Sequence, residues 1–145
     1  MSRIKVKFPN EKSLFETSIP IRIGDVNYGG HVGNDSILSI VHESRVQMLK
    51  KFDYSEMDAA GVGLIMADVA IAYKGESFYG DVLNVTMYAE EFTSVSFDLL
   101  YDISTTRNGE TISIAHAKTG MVCFDYDNRK VTAMPEQLKS VLKGV

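Results

Sequence analysis

One segment constrains this chain more than any other. Residues 35–51 carry the only strong helical period in the sequence, and a loop with four glycines, 24–34, runs directly into them. Ile37, Ile40, Val41, Ser44 and Met48 recur at helical spacing, and Leu38, Arg45 and Leu49 widen that face. Asn34 or Asp35 suits the N-cap, and Lys50 and Lys51 suit the negative end of the helix dipole. A lone apolar helix must bury its face against something. The rest of the chain supplies strands rather than a second long helix.

Residues 14–23 combine β-branched side chains with partial alternation, and Pro20 argues for a sheet-edge position. The first twelve residues are basic and mixed, as a loose arm or an edge strand would be. A short helical turn is expected at 55–60, ending at Gly61. Residues 63–73 are apolar at nearly every position, the pattern of a strand covered on both faces. Residues 81–90 place Leu83, Val85, Met87 and Ala89 on one side, and 95–103 alternate Val95, Phe97, Leu99, Tyr101 and Ile103 with polar residues. Asn108-Gly109 is a hairpin signal, and the strand pattern resumes over 111–125. Residues 134–139 predict a short closing helix with Pro135 at its first position. The expected fold class is α+β, a curved antiparallel sheet wrapped around one long central helix, in a single domain over 1–145. One sheet around one helix leaves an open edge and an open face, so a homodimer or homotetramer is expected.

Composition narrows the function classes. With 145 residues, 45% of them hydrophobic and 23% charged, the chain has the balance of a globular protein that needs neither disulfides nor metal to hold a core. A net charge of −4 without a contiguous basic patch argues against nucleic-acid binding. The start lacks the apolar run of a signal peptide, and no stretch approaches the roughly 18 apolar residues of a membrane span. The single Cys123 fits a reducing compartment. The expectation is a cytoplasmic protein without membrane or nucleic-acid partners.

The chemistry concentrates in Arg22-Ile-Gly-Asp-Val-Asn-Tyr-Gly-Gly-His-Val-Gly-Asn34, which gathers Asp25, Asn27, His31 and Asn34 beside a helix N-terminus. Such a terminus offers unpaired N–H groups and partial positive charge, a site for a developing oxyanion. Asp25 and Asn27 are equally able to organise the turn, and His31 to serve as a structural histidine.

This segment resembles the signature of hotdog-fold thioesterases of the 4-hydroxybenzoyl-CoA thioesterase type, an Asp-x-Asp-x-x-Gly-His-Val-Asn-Asn loop leading into the central helix. His42-Glu43-Ser44-Arg45 occupies the place of the family's Glu-x-(Ala or Ser)-Arg stretch. Gly80-Asp81, within Gly-Glu-Ser-Phe-Tyr-Gly-Asp-Val-Leu-Asn-Val, and the tail Arg129-Lys130-Val-Thr-Ala-Met-Pro135-Glu136 resemble later parts of the pattern, the last a strand followed by proline and a short helix. The likeness spans nearly the whole chain. It implies the hotdog fold and hydrolysis of an acyl thioester carried by coenzyme A or acyl carrier protein, at a subunit interface and without a metal or further cofactor. By position, the amides that would polarise the carbonyl belong to Gly33, Asn34 and Asp35.

Two positions depart from that pattern. The loop's second aspartate, the family's usual base or nucleophile, is Asn27 here, and a neutral amide cannot replace a carboxylate. Position 33 is glycine where the family commonly has asparagine. A hydrolase built this way needs another carboxylate to activate water. Asp25 would share a face with Asn27 in an extended segment. Glu43 falls roughly 140° from the centre of the helix's apolar stripe, so pattern alone leaves it on a flank. The expected mechanism has Glu43 or Asp25 take the proton while Asn27 and His31 position water or substrate. The competing expectation is a non-catalytic acyl-thioester binding module, favoured by Asn27; a hotdog hydratase ranks below both. His42, His116 and Cys123 lack metal-ligand spacing, Cys123 reads as core, and Ser44 lacks a nucleophile elbow. Lys74, Arg107, Lys118 and Arg129 are candidates for coenzyme A phosphates.

Overall fold

The computed structural model describes residues 3–145; of the N-terminal arm, Met1 and Ser2 lie outside them. Strand β1 (Phe15–Pro20) leads through a 3-10 turn (Ile23–Asp25) into helix α1 (Asn34–Lys51). Strands β2 (Gly63–Tyr73), β3 (Val82–Glu90), β4 (Ser96–Arg107), β5 (Glu110–Asp125) and β6 (Lys130–Val131) follow, and helix α2 (Glu136–Lys143) closes the chain. The strands form one antiparallel sheet in the order β1-β3-β4-β5-β2, with β6 added to β5. This is the α+β arrangement expected, and β1 does lie at an edge.

Alternation explains the sheet. Leu83, Val85 and Met87 on β3, Phe97, Leu99, Tyr101 and Ile103 on β4, and Ala115, Ala117, Met121 and Cys123 on β5 are all buried in one core. Against them α1 presents Ile37, Ile40, Val41, Ser44, Arg45, Met48 and Leu49, while Leu38 stays 38% exposed. The Ser44 hydroxyl donates back to Ile40 O, and Arg45 reaches inward to Glu56 (3.2 Å) and the Tyr101 hydroxyl (3.3 Å), which pairs with Thr119. On the outer face, Phe8 of the N-terminal arm packs on Tyr88 and edge-on to His116.

Three expectations are corrected. Residues 55–60 form no helix: Ser55 and Asp58 exchange backbone hydrogen bonds, Asp58 accepts Gly61 N–H, and Ala60 and Gly61 take positive φ. Pro135 is the N-cap of α2 rather than its first residue. The apolar run of β2 does not reflect cover on both faces. Leu64 and Met66 pair with Cys123 and Met121, a bulge follows, and Val69, Ile71 and Tyr73 then pair with Thr119, Ala117 and Ala115. Paired residues share a face, so the bulge shifts the inward positions by one and removes the alternation. The strand is the sheet's other edge, and Met66, Val69 and Tyr73, although on the helix side, are 39%, 39% and 41% exposed.

The Asn108-Gly109 hairpin takes φ of 50° and 79°, as its sequence predicts. Just before it Arg107 donates to Asp81 from Nε and Nη2 (2.8–3.2 Å) and to Glu76 O. Hydrogen bonds from Arg107, and more weakly from Phe78 N–H, hold the Asp81 carboxyl below the usual carboxylate range against the opposing effect of burial. This clamp fixes the segment after β2, whose Ser77 O accepts Val32 N–H (2.8 Å) and so ties down the glycine-rich loop. A depressed carboxylate stabilises the fold above its unfolded value, and that contribution is lost as pH falls through the folded one. Asp81→Asn is therefore expected to lose about 1–2 kcal/mol at neutral pH, with the deficit closing below about pH 4; urea titrations across pH measure it.

Candidate functional site

The glycine-rich loop folds on itself before entering the helix. Asn27 N–H donates to His31 O, Gly30 N–H to Asn27 O, and the Asn27 side-chain Oδ1 accepts Gly29 N–H at 2.9 Å. Gly30 takes φ of 85°, which a side chain would strain. Asp25 is buried: its Oδ2 accepts Arg22 N–H at 2.8 Å, and its backbone carbonyl accepts Gly33 N–H. Its carboxylate thus organises the turn, one of the two roles the sequence leaves open.

The helix start differs from expectation in a way that matters chemically. The N-cap is Gly33, not Asn34 or Asp35, and glycine has no side chain to cap the first turn. Ser36 and Ile37 N–H both turn to Gly33 O, and Gly33 N–H is taken by Asp25. Among the described residues, the N–H groups of Asn34 and Asp35 have no acceptor within the chain. Of the three amides expected to polarise a carbonyl, two are therefore open and one is engaged. Nearby, the Tyr73 hydroxyl donates to Asn34 O at 3.3 Å; partial burial, and secondarily the Asp35 carboxylate, push that phenol above its ordinary value and keep it a donor.

His31 is half-buried, with Nδ1 3.1 Å from Val32 O. A proton on Nδ1 serves that contact, so a neutral ring presents Nε2 as an acceptor. A β-carbon added to Gly29 would stand 3.2 Å from Asn27 Oδ1 and 3.6 Å from His31 Nε2, which places both side chains on one side of the loop. The loop thus brings Asn27 and His31 together, and the Asn27 β-carbon stands 3.8 Å from one built on Gly33, the residue before the open amides.

Glu43 lies elsewhere. It is exposed on the β1 flank of α1, where its carboxylate accepts from Gln47, whose Oε1 receives the Thr17 hydroxyl. Glu43 and Asp25 share a groove of about 200 Å³ with Ile19, Arg22 and Ile40; Asn27, His31, Gly33, Asn34 and Asp35 do not line it. The two carboxylates expected from sequence thus fall together, but apart from the open amides.

Other candidates have structural employment. Burial pushes the Cys123 thiol up to about 11, which suits a core residue and not a nucleophile. His42 pairs with Glu56 at 2.6 Å, and His116 lies 3.6 Å from Asp102. Arg107 is committed to Asp81; Lys74, Lys118 and Arg129 are exposed. Sequence reasoning missed Tyr73, which read as a strand residue, and Ser77, whose buried hydroxyl has no hydrogen-bond partner among the described residues. Removing an orphaned hydroxyl relieves its desolvation cost, so Ser77→Ala is expected to be neutral or to stabilise by up to about 1 kcal/mol in thermal melts.

No helix among the described residues is long and apolar enough to cross a membrane. In fold, the chain superimposes on the 1,4-dihydroxy-2-naphthoyl-CoA thioesterase of Synechocystis with a TM-score of 0.80, at 20% identity over 90% of this chain and 96% of that one. A 4-hydroxybenzoyl-CoA thioesterase, an aspartate-to-asparagine variant complexed with 4-hydroxybenzoyl-CoA, matches with a TM-score of 0.76, at 17% identity over 88% and 97%. These neighbours bear out the hotdog fold. In sequence, an Aquifex aeolicus protein named "Putative esterase" is 28% identical over 116 residues, 79% of this chain and 86% of the relative. The family model of the thioesterase-like superfamily matches residues 21–142. The chain belongs to the thioesterase-like superfamily.

Proposed function

We propose that the protein hydrolyses an acyl thioester of coenzyme A or acyl carrier protein, and that the observation carrying this reading is the open pair of amides at Asn34 and Asp35. A thioester carbonyl seated there would accept two N–H groups at the positive end of α1, where charge developing on oxygen is stabilised. Superfamily membership supports the thioester as substrate. Water is the nucleophile, because residue 27 offers an amide where a covalent mechanism needs a carboxylate. The Asn27 side chain and His31 Nε2 orient that water and the substrate. A carboxylate takes the proton; the sequence offers Asp25 and Glu43 for this, and both line the groove on the β1 side. Collapse of the tetrahedral intermediate expels the thiolate, which recovers the proton. No step calls for a metal or a cofactor beyond the thiol carrier of the substrate.

A second reading is favoured by Asn27 itself: a module that binds acyl thioesters without cleaving them. Thiol release from acetyl-, decanoyl- and benzoyl-CoA separates the two. The hydrolase predicts turnover by the wild-type protein on at least one of them. No turnover by wild type, with intact acyl-CoA retained on the purified protein by mass spectrometry and activity gained in Asn27→Asp, establishes the binding module instead.

The exposed strip of Leu38, Met66, Val69 and Tyr73 beside the unpaired edge of β2 supports assembly. A second copy paired along that edge would complete the sheet and cover the strip. Light scattering is expected to give a dimer or tetramer for the wild type, and monomer for Val69→Lys. A wild-type monomer at tens of micromolar contradicts this assembly.

A further inference from the structure

Besides Asp25 and Glu43, a third carboxylate stands at the helix start. It is the side chain of Asp35, second residue of α1, folded back over Gly33. A β-carbon built on Gly33 would stand only 2.6 Å from Asp35 Oδ1, a separation real side chains do not tolerate, and 3.8 Å from the β-carbon of Asn27. Gly33 therefore leaves a gap that the Asp35 carboxylate occupies and the Asn27 β-carbon borders. Asn27 Oδ1 is held by Gly29 N–H, and its amide nitrogen makes no hydrogen bond among the described residues. A water between the two would accept from the Asn27 amide and donate to the Asp35 carboxylate. It would sit next to the N–H groups where the carbonyl is polarised.

From this we infer that Asp35 is the general base of the reaction proposed above, acting through the space that glycine at position 33 leaves open. The inference rests on the hydrolase reading and deepens it. As the water oxygen bonds to the acyl carbon, its proton passes to Asp35 and the carbonyl π pair moves onto oxygen at Asn34 and Asp35 N–H. Breaking the C–S bond then restores the carbonyl, and the departing thiolate takes the proton back from the Asp35 carboxylic acid. The base and the oxyanion donors come from one helical turn, so the site keeps its chemistry although residue 27 carries no charge. The other groups facing this turn fit the assignment. The Tyr73 phenol, raised above its ordinary value, remains a neutral donor, and the Asp25 carboxylate is bound to Arg22 N–H. Asp35 itself is exposed, so substituting it leaves the core intact.

The test compares wild type with Asp35→Asn, Gly33→Asn, Glu43→Gln, His31→Gln and the double variant Asp35→Asn with Asn27→Asp, on the best substrate among acetyl-, decanoyl- and benzoyl-CoA. Asp35→Asn is expected to lower kcat at least about 100-fold with little change in KM and to abolish the acid limb of the pH profile. Gly33→Asn, which forces the carboxylate out of the gap, is expected to lower kcat about tenfold or more. Restoring a carboxylate at position 27 in the double variant is expected to recover activity, a rescue that a merely structural role for Asp35 would not give. Asp35→Asn with wild-type kcat and pH profile overturns the assignment, as does an acid limb removed by Glu43→Gln or His31→Gln instead. A wild type inactive on every substrate overturns the hydrolase reading, and this inference with it.

Discussion

Burial of one face of α1 against the inner face of a single sheet is the interaction on which the rest of the structure depends. Ile37, Ile40, Val41, Met48 and Leu49 are each at most 3% exposed, and full burial of such side chains contributes about 1.5–3 kcal/mol apiece. Because one sheet holds the helix, the position of its N-terminus is set by the core rather than by the loop before it. The loop has only to reach that point, and it does so with backbone hydrogen bonds and one buried carboxylate, Asp25. The outcome is an uncapped helix start, with two donors that have no acceptor among the described residues, close to Asn27.

The same architecture accounts for the open flank. The sheet curves around one helix, and α1 leaves Met66, Val69 and Tyr73 on the concave side of β2 more than a third exposed. The bulge between Met66 and Asp68 turns Val69, Ile71 and Tyr73 toward the helix side, and Gly120 leaves room for Asp68 opposite it. Apolar residues therefore line a surface that this chain alone does not cover. Arg45 sits beside it, its charge matched by Glu56 and its inner nitrogen by Tyr101, so a buried cation is carried without an orphaned partner.

Much of this was legible in the sequence, and the exceptions have physical causes. Helical spacing gave α1 to within one residue, strict alternation gave β3 and β4, and Asn108-Gly109 gave the hairpin, because each is a local pattern enforced by burial on one face or by φ. The bounds of β2 were legible, but its expected cover on both faces failed, because a bulge changes the phase of alternation and a register against β5 is not written in β2 alone. The Ser55–Gly61 segment failed because side-chain acceptors at Ser55 and Asp58 offered its backbone a turn in place of a helix. At the site, the loop and the helix start were recognisable as a unit. That Asp35 would fold over Gly33, and that Asp25 would be spent on Arg22, depends on distances no spacing rule supplies.

On the proposed function, an acyl thioester seats its carbonyl on the N–H groups of Asn34 and Asp35. Amide NMR of the 15N-labelled protein, titrated with a non-hydrolysable thioether analogue of an acyl-CoA that keeps the carbonyl, tests it most directly. The largest shifts are expected at Asn34 and Asp35, with smaller ones at Asn27, Gly29 and His31. Saturable shifts confined to the β1-side groove around Ser39, Glu43 and Gln47, with Asn34 and Asp35 unmoved, would contradict it.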